Sequence, residues 1–313
     1  MRHPTVHPTL SGLPACGTFI CVIPFFFFLF GIVIGSFLNV CITRIPDGIS
    51  IISPGSRCPR CLTPIKPSDN IPILSWILLR GKCRHCALPI SAIYPIVEFL
   101  TGALFLLTYY TFGVTIRSFE LLLFASLMVI LIFTDLRVRL LPDAVNWFGF
   151  GVALAFATKI APGNFMEIWL HDRPVPPVVI RVADALLGAA FGSLLLWGAA
   201  ALYKAVRKRE GMGMGDVKMM AMVGAFLGVR GAFLTILIGT LLGSLIGLVT
   251  VLALYLFGWK QDLAARAHRR GLGGLNALRW TIASQYQLPL GTFLGIAALL
   301  VVYVRPWLGP GFA

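Results

Sequence analysis

The chain has 313 residues, 58% of them hydrophobic and 12% charged, with a formal net charge of +14. A soluble domain is roughly 45–50% apolar and about 25% charged, and here the apolar excess comes in long blocks, so a larger soluble core does not account for it. Blocks of about 20 apolar residues suit a bilayer core and a β-barrel would need short alternating segments; the composition therefore predicts an all-α polytopic membrane protein. With no loop interleaving aromatic and basic residues, it excludes nucleic acid as a partner.

The first apolar block covers residues 19–42. It is longer than a signal-peptide core of about 7–15 residues, and Asn39, Arg44 and Pro46 stand where a small-residue cleavage site would be. It reads as a retained first transmembrane helix. Residues 43–93 form the one sizeable polar insertion. Pro46, Pro54, Pro59, Pro64, Pro67, Pro72 and Pro89 argue against long helices there, and the apolar stretch 71–79 is too short to span. Further apolar blocks at 94–111, 119–134, 145–157, 183–203, 217–227, 232–257 and 288–304 bring the expectation to about eight spans. The predicted organisation is a first helix over 19–42, a cytoplasmic Pro-rich loop domain over 43–93, and a multi-helix membrane domain over 94–313 that includes a cytoplasmic loop at 258–287.

Placing the N-terminus outside puts 19 of the 26 Lys and Arg residues on inside loops, the bias expected of cytoplasmic segments. The basic loop 258–287 then reads as a solvated segment beside anionic membrane lipid.

Cys16, Cys21 and Cys41 lie in or beside the first apolar block and read as small buried hydrophobes. The other four cysteines form two C-x-x-C pairs, Cys58/Cys61 and Cys83/Cys86, with 21 residues between them. Two such pairs can wrap one tetrahedral structural zinc through four thiolates. A reducing cytoplasmic setting disfavours disulfides, and a metal supplies the cohesion that a small Pro-rich loop lacks. A redox C-x-x-C is the alternative, without a βαβ pattern to support it; His85 is expected to face solvent.

Asp135 ends an apolar run, where a carboxylate is expensive; its bland role is pairing with Arg137 or Arg139. Asp143, just past Pro142, is expected to cap the next helix. Further on, Gly211, Gly213 and Gly215 alternate directly before Asp216. Glycines there permit unusual backbone angles and close approach of another chain, and the bland role for Asp216 is an N-cap. The G-x-x-x-x-G-K-[ST] phosphate-loop pattern is absent. If Asp135 and Asp216 face each other, repulsion makes the pair share a proton: one carboxylate then deprotonates water while the other protonates a carbonyl oxygen. A transporter or channel using intramembrane carboxylates is the main rival.

Several of these segments together resemble the bacterial prepilin peptidases, the type IV leader peptidases of the GxGD membrane aspartic class. Gly35-Ser-Phe-Leu-Asn-Val40 followed by Arg44-Ile-Pro46, the paired C-x-x-C loop, Tyr94-Pro-Ile-Val-Glu98, the segment Asp135–Asp143 and the segment Gly213-Met-Gly215-Asp216-Val-Lys218 occur in that family's order over about residues 31–228. The resemblance implies an inner-membrane endopeptidase cutting the leaders of type IV prepilins or type II secretion pseudopilins after a glycine, on the cytoplasmic face. It also implies S-adenosylmethionine-dependent N-methylation of the new N-terminus in many members. Residue by residue, it implies Asp135 and Asp216 as catalytic and Cys58, Cys61, Cys83 and Cys86 as zinc ligands. Gly213, Gly215, Lys218 and Glu98 are expected to bind substrate or shape the site. Leu288-Pro-Leu-Gly-Thr292 matches only part of the family's Pro-Phe-Gly-Pro, and Ile93 stands where a basic residue is expected.

Overall fold

A computed structural model of the chain describes residues 18–163, 165–166, 174–208, 212–256 and 289–304; the loop expected at 258–287 lies outside the described residues. The elements are helices α1 (Thr18–Arg44), α2 (Leu74–Leu78), α3 (Ile93–Phe112), α4 (Ile116–Val138), α5 (Asp143–Ala157), α6 (Pro177–Arg207), α7 (Met214–Leu256) and α8 (Leu290–Val304), with a short 3₁₀ turn at Pro67–Asn70. Among the described residues there is no strand, only two isolated bridges.

Five helices are long and apolar enough to cross a membrane, and α5 and α8 are shorter apolar helices. One of the five, α7, has a non-helical residue at Gly228. Counting its two parts separately gives eight apolar helical segments among the described residues. The Pro-rich stretch forms only the 3₁₀ turn and the five-residue α2, because each proline removes a backbone donor and clashes with a preceding turn.

The chain divides into two compact units. The first comprises the described residues up to Asn39 together with Gly55–Leu122. Here α1 and α3 meet backbone to backbone. A methyl added to Gly31 would lie 2.7 Å from the Cα of Gly102, and one added to Gly35 would lie 2.7 Å from the Cα of Glu98. In lipid, where tails are as apolar as side chains, helix pairing depends on such close packing between small residues. The rings of Phe28 and Phe99, 5.9 Å apart, extend the contact, while Phe25, Phe26 and Leu29 point outward.

The second unit comprises Val40–Pro54 and the described residues from Leu123 onward. The last carbonyls of α1 have no partner within their own helix; Arg137 of α4 donates to those of Ile42 and Thr43, at 3.2 and 3.0 Å, and reaches Asp47 at 3.5 Å. Helices α6 and α7 share a seam so close that a Cβ on Gly188 or on Gly224 would collide with the other's carbonyl. Gly228 adopts φ 69°, ψ −176°, a region essentially reserved for glycine, and a methyl there would also lie 3.2 Å from the Cα of Gly163. Helix α8 fits against α4 and α7: Gly295 faces Ile132, and Gly239 faces Leu294. The Phe124 and Phe226 rings, 4.9 Å apart, pack α4 on α7. This docking brings the start of α8 to the end of α4 and the start of α7.

Candidate active site

Three helix ends meet in the second unit. Asp135 lies in the last turn of α4 and is 5% exposed; Asp216 lies in the first turn of α7 and is 9% exposed. The point between them is marked by Gly291 at the start of α8. A methyl there would lie 3.1 Å from Oδ2 of Asp135, 3.1 Å from Oδ1 of Asp216 and 2.9 Å from Cδ1 of Leu141. Two carboxylates from segments 81 positions apart in sequence, numbers 135 and 216, thus border one small space.

Their local settings differ. Oδ2 of Asp135 accepts hydrogen bonds from the Thr292 backbone N–H at 2.7 Å and from the Thr292 hydroxyl at 2.9 Å. Asp216 occupies the third position of α7: its N–H donates to the Gly213 carbonyl at 3.2 Å, and its carboxylate accepts from the Gly213 N–H. The side-chain bond is the half of a capping box in which the third helical residue reaches back to the cap, with Gly213 rather than Asp216 at the cap. The acid also sits at the positive end of the helix dipole.

The surrounding residues refine the sequence expectations. Arg137 is turned to the end of α1, not to Asp135. Asp143 does not cap α5: Pro142 is the cap residue, no side chain caps it, and Asp143 instead accepts from Lys218 Nζ at 2.6 Å. This pair ties the start of α5 to the start of α7, two residues past Asp216. Neither Gly213 nor Gly215 has a positive φ, so unusual backbone angles are not the reason for glycine there. Close approach accounts for Gly215, where a methyl would lie 3.0 Å from Cβ of Leu141; Gly213 has room. Gly291 and Thr292 were missed as site residues in the sequence, where only the partial match at 288–292 pointed to them.

Glu98 belongs to the first unit, on α3. It is buried, accepts from the Ile73 N–H at 2.7 Å and is hydrogen-bonded by the Ser36 hydroxyl. Ile73 is a β-branched residue at φ 59°, a costly conformation that this bond helps to hold.

The four cysteines also meet in the first unit. Their sulfurs lie within 4.8 Å of one another, with Cys58–Cys86 at 3.9 Å and Cys61–Cys83 at 4.0 Å. A tetrahedral ion with metal–sulfur bonds of about 2.3 Å has sulfur–sulfur edges of roughly 3.8 Å, so the set fits a thiophilic metal. The two halves are built alike. Cys58 N–H donates to Thr63 O and Leu62 N–H to Cys58 O; Cys83 N–H donates to Leu88 O and Ala87 N–H to Cys83 O. Leu62 and Ala87 share a φ of 57° and 56°. Hydrogen bonds from the Thr63 side chain and backbone push the Cys61 thiol down to about 6, while, against the Leu88 backbone bond, burial and the neighbouring thiols push Cys86 up to about 11; a bound metal would hold both as thiolates.

Two family patterns cover most of the chain. The bacterial peptidase A24 N-terminal domain matches residues 29–112, and the type IV leader peptidase family matches residues 122–248. Among curated proteins, the chain is 39% identical over 247 residues to a prepilin leader peptidase/N-methyltransferase of Myxococcus xanthus, covering 78% of this chain and 68% of that protein. Proteins of the same name from Aeromonas hydrophila and Bacillus subtilis are 34% and 36% identical over 253 and 225 residues, covering 72% of this chain and 80% and 82% of theirs. No solved structure matches.

Proposed function

The chain belongs to the type IV leader peptidase family, and on that premise we propose that it is a membrane aspartic endopeptidase that removes the leaders of type IV prepilins or type II secretion pseudopilins after a glycine, with Asp135 and Asp216 as its catalytic pair. The observation that carries this reading is the small space at Gly291 bordered by both carboxylates. Peptide hydrolysis by an acid pair needs one carboxylate that takes a proton and one that gives it. One takes a proton from water as the water oxygen attacks the scissile carbonyl carbon. The other gives a proton to the carbonyl oxygen, and the tetrahedral adduct then collapses with proton transfer to the departing amine. A solute path would need polar groups at helix midplanes, whereas these acids stand at the ends of α4 and α7.

The basic-residue bias supports an inner-membrane protein with a periplasmic N-terminus and the acid pair at the cytoplasmic face. A substrate whose apolar helix lies in the bilayer would present its cut site at that level. The glycine before the cut weakens the substrate helix locally, opening the bond to attack. For the cysteine set we propose zinc: Cys58, Cys61, Cys83 and Cys86 would hold it, and it would serve as a cross-link that orders the Pro-rich loop. Glu98 shapes the same unit by holding the backbone at Ile73. The relatives' printed names couple the peptidase to an N-methyltransferase, and we extend that activity to this chain, with S-adenosylmethionine as methyl donor.

The test is the purified enzyme with a prepilin carrying a Gly–Phe junction, read by mass spectrometry for loss of the leader and gain of one methyl. Asp135→Asn and Asp216→Asn, each folded in the membrane, should lower cleavage by about 10²–10⁴-fold. Full cleavage by either variant would overturn the assignment.

A further inference from the structure

The start of α8 supplies a third part of the site. Thr292 is buried, 4% exposed, and spends two donors on a single atom, the Oδ2 of Asp135, at 2.7 Å from its backbone N–H and 2.9 Å from its hydroxyl. Thr292 is the third residue of α8, so its N–H is one of the first-turn donors that have no partner within the helix. A carboxylate at a helix N-terminus accepts such a donor readily, and the hydroxyl adds a second from the same residue.

Resting on the reading of Asp135 as catalytic, we propose that Thr292 is the positioning residue of the acid pair: it holds the Asp135 carboxyl in one orientation. Both bonds end on Oδ2, so Thr292 grips one oxygen of the carboxyl and leaves Oδ1 without a bond to it. Two bonds from one buried residue resist rotation of the carboxyl about its Cβ–Cγ bond. With Gly291 leaving the neighbouring space open, the side of Asp135 that faces Asp216 is bounded by one residue that binds and one that yields.

The same bonds could be purely structural, a tie that docks α8 onto α4. The two roles separate by kinetics. Thr292→Ser keeps both donors. Thr292→Val keeps the shape and the N–H but removes the hydroxyl. In the full-length enzyme cutting a prepilin, and per mole of folded protein, Thr292→Ser should retain kcat within about twofold. Thr292→Val should lose about 10- to 100-fold in kcat, as expected for one hydrogen bond to a charged group, with KM and thermal midpoint nearly unchanged. If Thr292→Val expresses poorly, Thr292→Ala, which also lacks the hydroxyl, carries the comparison. A wild-type kcat in Thr292→Val or Thr292→Ala overturns the proposal, as does a loss that tracks the thermal midpoint and is not rescued by serine. Asp135→Asn, measured alongside, separates the two levels. If it cleaves fully, the acid-pair reading fails with this one; if it is inactive while Thr292→Val is normal, only the role of Thr292 is lost.

Discussion

Gly291→Ala puts one methyl group into the space that Asp135 and Asp216 share. At its ideal position the new carbon lies 3.1 Å from an oxygen of each carboxylate and 2.9 Å from Cδ1 of Leu141, against an unstrained carbon contact of about 3.5–4.0 Å. Each neighbour must therefore retreat by several tenths of an ångström, and retreat on both sides widens the gap between the acids. Overpacking of this kind costs about 1–3 kcal/mol, while a misplacement approaching 1 Å at a catalytic group costs about 10²-fold in rate. The methyl also occupies the volume that a water molecule or the scissile carbonyl needs. The expected outcome is a kcat lower by at least about 10²-fold in an enzyme that still reaches the membrane folded. Gly295→Ala is the control, one turn further along α8. Its methyl would lie 2.6 Å from Cγ1 of Ile132, so it strains the same helix at least as hard away from both acids, and should lower the thermal midpoint with kcat per folded enzyme nearly intact. Leader cleavage by the two variants, normalised to folded protein, decides between the site and the packing. Equal losses, or a normal kcat in Gly291→Ala, would refute the reasoning.

Purified wild type should carry about one equivalent of zinc per four-thiolate site, and Cys58→Ser/Cys83→Ser should lose it, with proteolysis concentrated in the Pro-rich loop as the readout. Lys218→Met and Asp143→Asn should each lower kcat, and the double variant should be no worse than the poorer single one, because the two side chains act through one 2.6 Å ion pair; full additivity of the two losses would show that they act separately. Gly215→Ala should press on Leu141, which has Cβ contact at 3.0 Å, and so reduce activity and thermal midpoint together; a fall in kcat alone would give Gly215 a part in substrate entry.

Residues that announced themselves in the sequence did so through local spacing. Two C-x-x-C pairs can be read from a string of letters because each pair closes within one turn, and the run of apolar residues before Asp135 makes its charge conspicuous. The apolar blocks at 217–227 and 232–257 were legible as separate, but the sequence reading carried the first block through Gly228, the residue where the backbone leaves helical geometry. Thr292 was not legible: its meaning depends on α8 returning to α4 across 157 positions, and nothing in a Gly-Thr dipeptide reports that. The partner of Arg137 was hidden for the same reason, because the nearest acid in sequence competes in the reader's eye with two carbonyls at the end of α1. Asp143 follows a proline at a helix start and has the look of a cap. The neighbouring start of α7 decides otherwise by presenting Lys218, and a cation at 2.6 Å outbids a weak local bond.

The likeness of the two cysteine turns has a consequence for engineering. Segments 57–64 and 82–89 carry the same bridge between their ends and the same left-handed residue after the second cysteine. Around the sulfur set they share one backbone pattern, and they differ at five paired positions: Arg57 against Lys82, Pro59 against Arg84, Arg60 against His85, Leu62 against Ala87 and Thr63 against Leu88. Exchanging the two octapeptides would leave the four sulfurs in place while swapping those side chains. It would also move Arg84 away from Asp69, the 2.7 Å pair that links the second turn to the 3₁₀ segment. Such a transposed chain would separate the loop's metal affinity from whatever its outward surface recognises, two properties that any single cysteine substitution destroys together.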